Sequence, residues 1–393
     1  MIRFPATQDQ IDAVKQDRVA IAELREAVRQ QFLSFFVDEK GGTSHPPGPI
    51  VPEHDKSVAF TGSTISTLKP ILLSAKIPDN GIFMVQNCLR AQNTKILSDV
   101  SKSPQWSSLF SSTGGLANVQ EMDPLLSKTW QFFTDRMGIP EDRLHIRIAS
   151  TDTDLLESCR RTGLSSAFEV DANPPVYYTH KFGLPTVFGR NFNFAISDPK
   201  TRELRDIGNF IVIEDSGKPM ALEIAFGVET IVSRALGMAS PIHAAPITDF
   251  IPAKDGQTVK FADALSASTA ILQADVRPTA SDMRGRVLRQ YLQGAGSLRA
   301  STGLEREQIR QAIDGFEQQE FGHISGASDK ITRYIDTCEE MTRNGTSLSG
   351  KQNAALSEIF SGRAGPEDTM PVVRTAAEAP VSGGKIPSPT SRS

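Results

Sequence analysis

Between residues 8 and 36 the apolar positions Ile11, Val14, Ile21, Leu24, Val28, Phe32 and Phe35 recur at spacings close to three, four and seven. That period gathers them on one stripe and predicts an amphipathic helix ending near Gly41-Gly42. A Gly- and Pro-rich loop from Gly41 to Pro49 leads to Ile50-Val51-Pro52, and the short apolar run Val58-Ala59-Phe60 predicts a strand. Further strands are predicted at 82–85, 144–148, 187–196, 210–213 and 220–224, with helices at 124–136 and 152–161. The spacer Asp215-Ser216-Gly217-Lys218 is too short for a helical crossover, so neighbouring strands should pair antiparallel, in an α+β arrangement.

After Pro241 the pattern turns helical, with predicted helices at 261–273, 284–293, 305–318, 328–343 and 351–360. From Gly365 onward Pro, Gly, Ser and Thr dominate and large apolar residues thin out, a composition expected to be disordered. Three parts follow: a mixed core at 1–240, a helical domain at 241–364 and a tail at 365–393.

With 393 residues, 39% apolar and 22% charged, the chain can bury a sizeable core. A net charge of −4 argues against a surface built as a whole to grip polyanions. Cys88, Cys159 and Cys338 are an odd number without CxxC spacing, which excludes a disulfide scaffold and a cysteine zinc ribbon and fits a reducing cytoplasm. No apolar run approaches the ~18 residues of a membrane span, and Met1-Ile2-Arg3-Phe4-Pro5 lacks a signal-peptide stretch, so a cytoplasmic protein without membrane contact is expected. P-loop, GxGxxG, HExxH and GxSxG motifs are missing from the folded part. The six histidines are scattered without metal-ligand spacing and read as surface or packing residues.

Three segments stand above this background: Val51-Pro52-Glu53-His54-Asp55-Lys56-Ser57-Val58-Ala59-Phe60-Thr61-Gly62-Ser63, Gln86-Asn87-Cys88-Leu89-Arg90-Ala91, and Leu222-Glu223-Ile224-Ala225-Phe226-Gly227-Val228-Glu229-Thr230. In that order they resemble the three motifs of class II aminoacyl-tRNA synthetases, specifically the alanyl-tRNA synthetase catalytic core. Glu23-Leu24-Arg25 with Phe32 to Phe36 resembles the family's opening helix, and Arg143 to Ile148 with Asp152 to Gly163 its middle strand and helix. Arg284-Gly285-Arg286-Val287-Leu288-Arg289 is similar to the Arg-Gly-Tyr-Val-Leu-Arg stretch of the tRNA-recognition region. The resemblance, over roughly residues 20 to 300, implies a class II antiparallel sheet flanked by helices and then a helical domain. The family's editing and C-terminal dimerising domains have no room here.

The implied chemistry is attack of an amino acid carboxylate on the α-phosphate of ATP, with Mg2+, where the protein positions groups and neutralises charge. Arg90 stands where the motif 2 arginine stands, a planar fork suited to phosphate and carboxylate together. Phe110 and Gly227 are implied in ATP binding. Asp206-Ile207-Gly208-Asn209 replaces the family's Glu-Ile-Trp-Asn, making Asp206 the candidate magnesium ligand and Asn209 a substrate contact. Gly208 in place of tryptophan is expected to open space for a substrate larger than alanine, and Glu223 takes the place of the aspartate that binds the amino group.

Departures accompany the match. Thr230 replaces the motif 3 arginine that clamps ATP, Phe110-Ser111 replaces phenylalanine-glutamate, and Asn191-Phe192-Asn193-Phe194 lacks the central-strand acid. Arg284, Arg286, Arg289 and Arg299 form a sparse basic stripe for a tRNA-binding domain. Three readings stand: a paralogue that activates an amino acid for a carrier protein or small metabolite, a truncated tRNA-aminoacylating enzyme, and a non-catalytic regulatory or scaffolding paralogue. None calls for DNA or membrane.

Overall fold

The computed structural model describes residues 2–53, 55, 58–164 and 168–343. The predicted helix at 351–360 and the predicted tail lie outside these residues. The first apolar stripe folds as two helices, α1 (Gln8–Gln16) and α2 (Arg18–Leu33), because the Asp17 side chain accepts from the Val19 and Ala20 backbone N–H groups and starts a new helix. Ile21, Leu24, Val28 and Phe32 form the buried face of α2. A π-helical stretch, Ser34–Glu39, continues it, and Phe32, Phe35 and Phe36 meet Phe132 in tilted and edge-on ring contacts.

A short strand β1 (Thr43–Ser44) is followed by α3 (Thr64–Ser74), β2 (Ile82–Leu89), β3 (Leu109–Ala117), α4 (Met122–Gln131), β4 (Leu144–Ile148) and α5 (Thr153–Arg161). Strands β5 (Phe168–Val170), β6 (Thr179–Lys181), β7 (Val187–Ser197), β8 (Leu204–Asp215) and β9 (Lys218–Gly227) complete one sheet of order β1-β2-β3-β9-β8-β7-β4-β5, with β6 beside β7. The pairs from β2 through β7 to β4 are antiparallel, as expected, and β1–β2 and β4–β5 are parallel at the two ends. Between β8 and β9 the chain turns through Ser216 and Gly217, both at positive φ, the backbone a two-residue hairpin demands.

Two expectations change. Val58 to Phe60 is a bend and not a strand, with Phe60 buried against later helices. Strand β3, whose Ser-Ser-Thr-Gly-Gly run has little strand character, forms because a side chain at Gly115 would fall 2.2 Å from the Ile82 carbonyl, so close packing in the sheet requires the glycine.

Helix α6 (Val228–Ala235) leaves β9 directly, and α7 (Gly256–Gln273), α8 (Met283–Leu298), α9 (Arg306–Phe321) and α10 (Ala327–Arg343) form the helical segment. Helix α7 is buried on nearly every side. Its cluster takes in Leu265, Leu288, Ile313 and Ile331 but also Ile50, Phe60, Leu89, Leu97 and Leu109, so the helical segment shares apolar core with the end of the sheet. The fold is α+β, an antiparallel sheet flanked by helices and followed by an α-helical segment.

Candidate functional site

Arg90 leaves the end of β2 at the mouth of the sheet. Its backbone N–H donates to the Ser108 carbonyl (2.8 Å) and its Nε to the Gly62 carbonyl (2.7 Å). The guanidinium lies 5.1 Å above the Phe110 ring, opposite Cys88 on the neighbouring strand. Arg90 and Phe110 line a cavity of about 240 Å3 together with Asp206, Gly208, Asn209, Gly227 and Thr230. A second cavity of about 300 Å3 contains Glu223, and Arg90, His180, Asn209 and Ala225 line both. Arg90, Phe110, Asp206, Gly208, Asn209, Glu223 and Gly227 thus each reach one of two cavities with a common wall.

Glu223 is 2% exposed, and its Oε2 has no hydrogen-bond partner. Burial pushes this carboxyl up to about 8, and the Arg90 charge opposes the shift in part. The fully desolvated acid is primed for a positively charged or proton-donating ligand group. His180 was expected to be a surface or packing residue. It faces both cavities, its Nε2 is unpartnered, and burial together with Arg90 lowers its pKa.

Asp206 sits in a donor network. Its Oδ1 accepts from Arg147 Nη1 (3.0 Å), and its Oδ2 accepts from Asn193 Nδ2 (2.6 Å) and the Tyr177 hydroxyl. Asn209 Nδ2 donates to Asn193 Oδ1 at 2.6 Å. This is the place of the missing central-strand acid, where an amide now relays between Asn209 and Asp206. Both Asp206 oxygens are committed, and among the described residues no group of three His, Cys, Asp or Glu could hold a metal ion. Asp206 would hold a magnesium ion only by giving up or sharing one of these donors.

Gly208 also departs from expectation. A Cβ there would fall 2.2 Å from the Ala225 carbonyl oxygen and 2.4 Å from the Phe226 ring. Phe226 is the direct partner of Gly208 in the β8–β9 ladder. Phe226 fills the space an indole would take, so Gly208 serves close strand packing and opens no extra room.

Thr230 lies in the first turn of α6 with no cation in its place. One turn further, Arg234 is 5% exposed with Nε and Nη1 unpartnered, and burial lowers its pKa to about 10. In the helical segment the basic stripe is partly consumed. Arg284 Nε donates to the Ala59 carbonyl (2.8 Å), and Arg299 pairs with Asp336 and Glu339 at 2.8 Å each. The residues that sequence reasoning missed, Trp106, Tyr177 and His180, carry no motif; they reach the cavity through loops and a short edge strand.

Residues 27–169 match the family described as tRNA synthetases class II (A). Over these residues the chain is similar to class II synthetases, and the curated relatives it matches there are alanine–tRNA ligases. It is 30% identical over 128 residues to an alanine–tRNA ligase of Lysinibacillus sphaericus, covering 32% of this chain and 14% of that protein. It is 32% identical over 136 residues to the mitochondrial alanine–tRNA ligase of Mus musculus, again 32% of this chain and 14% of the relative. The match thus spans about a seventh of the length of these relatives. Among solved structures, asparaginyl-tRNA synthetase from Pyrococcus horikoshii with asparaginyl-adenylate aligns over 58% of this chain and 68% of that one, at 12% identity and a TM-score of 0.37. No helix among the described residues is long and apolar enough to cross a membrane.

Proposed function

We propose that the two cavities bind ATP and an amino acid and that the chain activates the amino acid as its adenylate. The observation that carries this reading is that the Arg90 guanidinium and the Glu223 carboxyl line one cavity, a pairing suited to a zwitterion once the acid ionises. Glu223 would release its proton to solvent as the ammonium group arrives, and Arg90 would hold the carboxylate against the α-phosphate. A carboxylate oxygen then bonds to the α-phosphorus, and the bond from that phosphorus to the bridging oxygen breaks, the electron pair leaving with pyrophosphate. Arg90 and Phe110 would receive the nucleotide, with the Gly227 backbone beside them.

The second cavity, with Ile65, Phe182 and Ile211 in its wall, has room for a side chain larger than a methyl group. This supports an amino acid larger than alanine, on grounds separate from Gly208. In this reading residues 1–240 are the catalytic core and 241–364 a helical domain whose Arg284 and Arg299 are already tied internally. That supports an acceptor other than tRNA, such as a carrier protein or small metabolite. Pyrophosphate exchange with ATP across a panel of amino acids tests the activation step. Exchange dependent on one amino acid larger than alanine is expected, and its absence with every amino acid would overturn the reading in favour of a non-catalytic binder. Charging of total tRNA by the same preparation would overturn the acceptor.

A further inference from the structure

The two ends of the segment between β2 and β3 are fastened to the helical segment by one buried acid. Asp263, 1% exposed in the middle of α7, accepts from the Ser108 backbone N–H at Oδ1 (2.7 Å). Its Oδ2 accepts from the Ser108 hydroxyl (2.5 Å) and from Asn93 Nδ2 (2.8 Å). Tyr291 of α8 donates its hydroxyl to Ser108 Oγ at 2.7 Å. Ser108 and Asn93 bond in turn to residues of the cavity wall. The Ser108 carbonyl accepts the Arg90 N–H (2.8 Å), and Asn93 Nδ2 also donates to the Trp106 carbonyl (2.7 Å).

A buried carboxylate is costly unless donors surround it, and an alanine would pack more cheaply in this Ala- and Ser-rich helix. Here the acid is satisfied by a backbone N–H, a hydroxyl and an amide belonging to the stretch that carries the cavity's Arg90 and Trp106. Trp106 itself is 43% exposed, so side-chain packing does little to hold it. Burial raises the Asp263 carboxyl to about 6, which leaves it ionised and accepting near neutral pH.

We propose that Asp263 is the positioning residue that fixes Arg90 and Trp106 on the cavity wall through Ser108 and Asn93. The helical segment is then a working part of the site. The inference relies on the proposed function only for the ligand used in one arm of its test.

The chain has two tryptophans, Trp106 and Trp130, so Trp130→Phe makes Trp106 the sole indole reporter. In that background Asp263→Asn and Tyr291→Phe are each compared with the parent by acrylamide quenching of Trp106 well below the melting transition, and by calorimetric titration with ATP. Expected are a rise in the quenching constant for both variants, larger for Asp263→Asn, and a weakening of ATP binding by about tenfold for Asp263→Asn. A purely structural role would lower the melting temperature and leave quenching and affinity unchanged in the folded protein, and that result would overturn the proposal. If Asp263→Asn does not fold, unchanged quenching in Tyr291→Phe overturns it alone. An absence of ATP binding by the parent defeats the function proposed for the cavity, whereas the quenching arm still decides the role of Asp263.

Discussion

Arg90 reaches the cavity from the last residues of β2 with its backbone and Nε already fixed, so its charge is presented without contributing to the apolar core. Arg90→Ala is accordingly expected to reduce amino-acid-dependent pyrophosphate exchange by at least ~100-fold while shifting unfolding stability by less than about 1 kcal/mol. Exchange kinetics beside a urea melt check both halves. Glu223 makes a different prediction, because its pKa is about 8 in the folded chain and about 4.3 in an unfolded one. Between those values the native state retains a proton that the unfolded state has lost, so this group's contribution lowers stability as pH rises from ~4.5 to ~8. Glu223→Gln removes that dependence. The variant should match the wild type near about pH 4 and exceed it by about 1–3 kcal/mol near about pH 8, read from denaturant melts at both pH values. An equal difference at the two pH values would show that the carboxyl is not held protonated.

Among the elements, the break between α1 and α2 shows a single side chain overriding periodicity. The apolar stripe runs on from Ile11 to Phe32, but Asp17 satisfies two backbone donors and redirects the chain. Asp17→Ala should cost about 1 kcal/mol in a denaturant melt, without loss of cavity binding. Strand β3 was hidden for the opposite reason. Its two glycines carry no hydrophobic signal, and their value lies in letting β2 and β9 approach from either side. Helix α6 went unseen because its eight residues, little more than two turns, follow β9 with no capping side chain to mark a start.

At the scale of the whole molecule, buried polar contacts join parts far apart in sequence. Arg25 of α2, 2% exposed, pairs with Asp249 and donates to the Ala244 carbonyl (3.1 Å), while Asp249 also accepts from Gln319 of α9 (3.1 Å). This pair holds the opening helix against the start of the helical segment. Removing its acid would leave a buried guanidinium with less compensation, and Asp249→Ala is expected to destabilise the protein by about 3 kcal/mol by urea melt. A cost below about 1 kcal/mol would mean that water or a neighbour replaces the carboxylate.

Strands β2, β4, β7, β8 and β9, helices α2, α4, α5 and α7 to α10, and the antiparallel pairing were legible in the sequence, because periodicity and turn residues are local properties. Arg90, Phe110, Asn209, Gly227 and Glu223 stood out in the sequence, and the fold brings them to the walls of two adjoining cavities. Only the tertiary structure decided what surrounds each of them. Asp206 is saturated by Arg147, Tyr177 and Asn193, which are remote in sequence or set on another strand. The space beside Gly208 belongs to Phe226 because the two are direct partners in the β8–β9 ladder. Asp263, an acid in an Ala- and Ser-rich helix with no motif around it, acquires its meaning from the Ser108 and Asn93 that folding brings to it. Hydrogen-bond partners and excluded volume depend on distances between chain segments, and those distances exist once the core has closed.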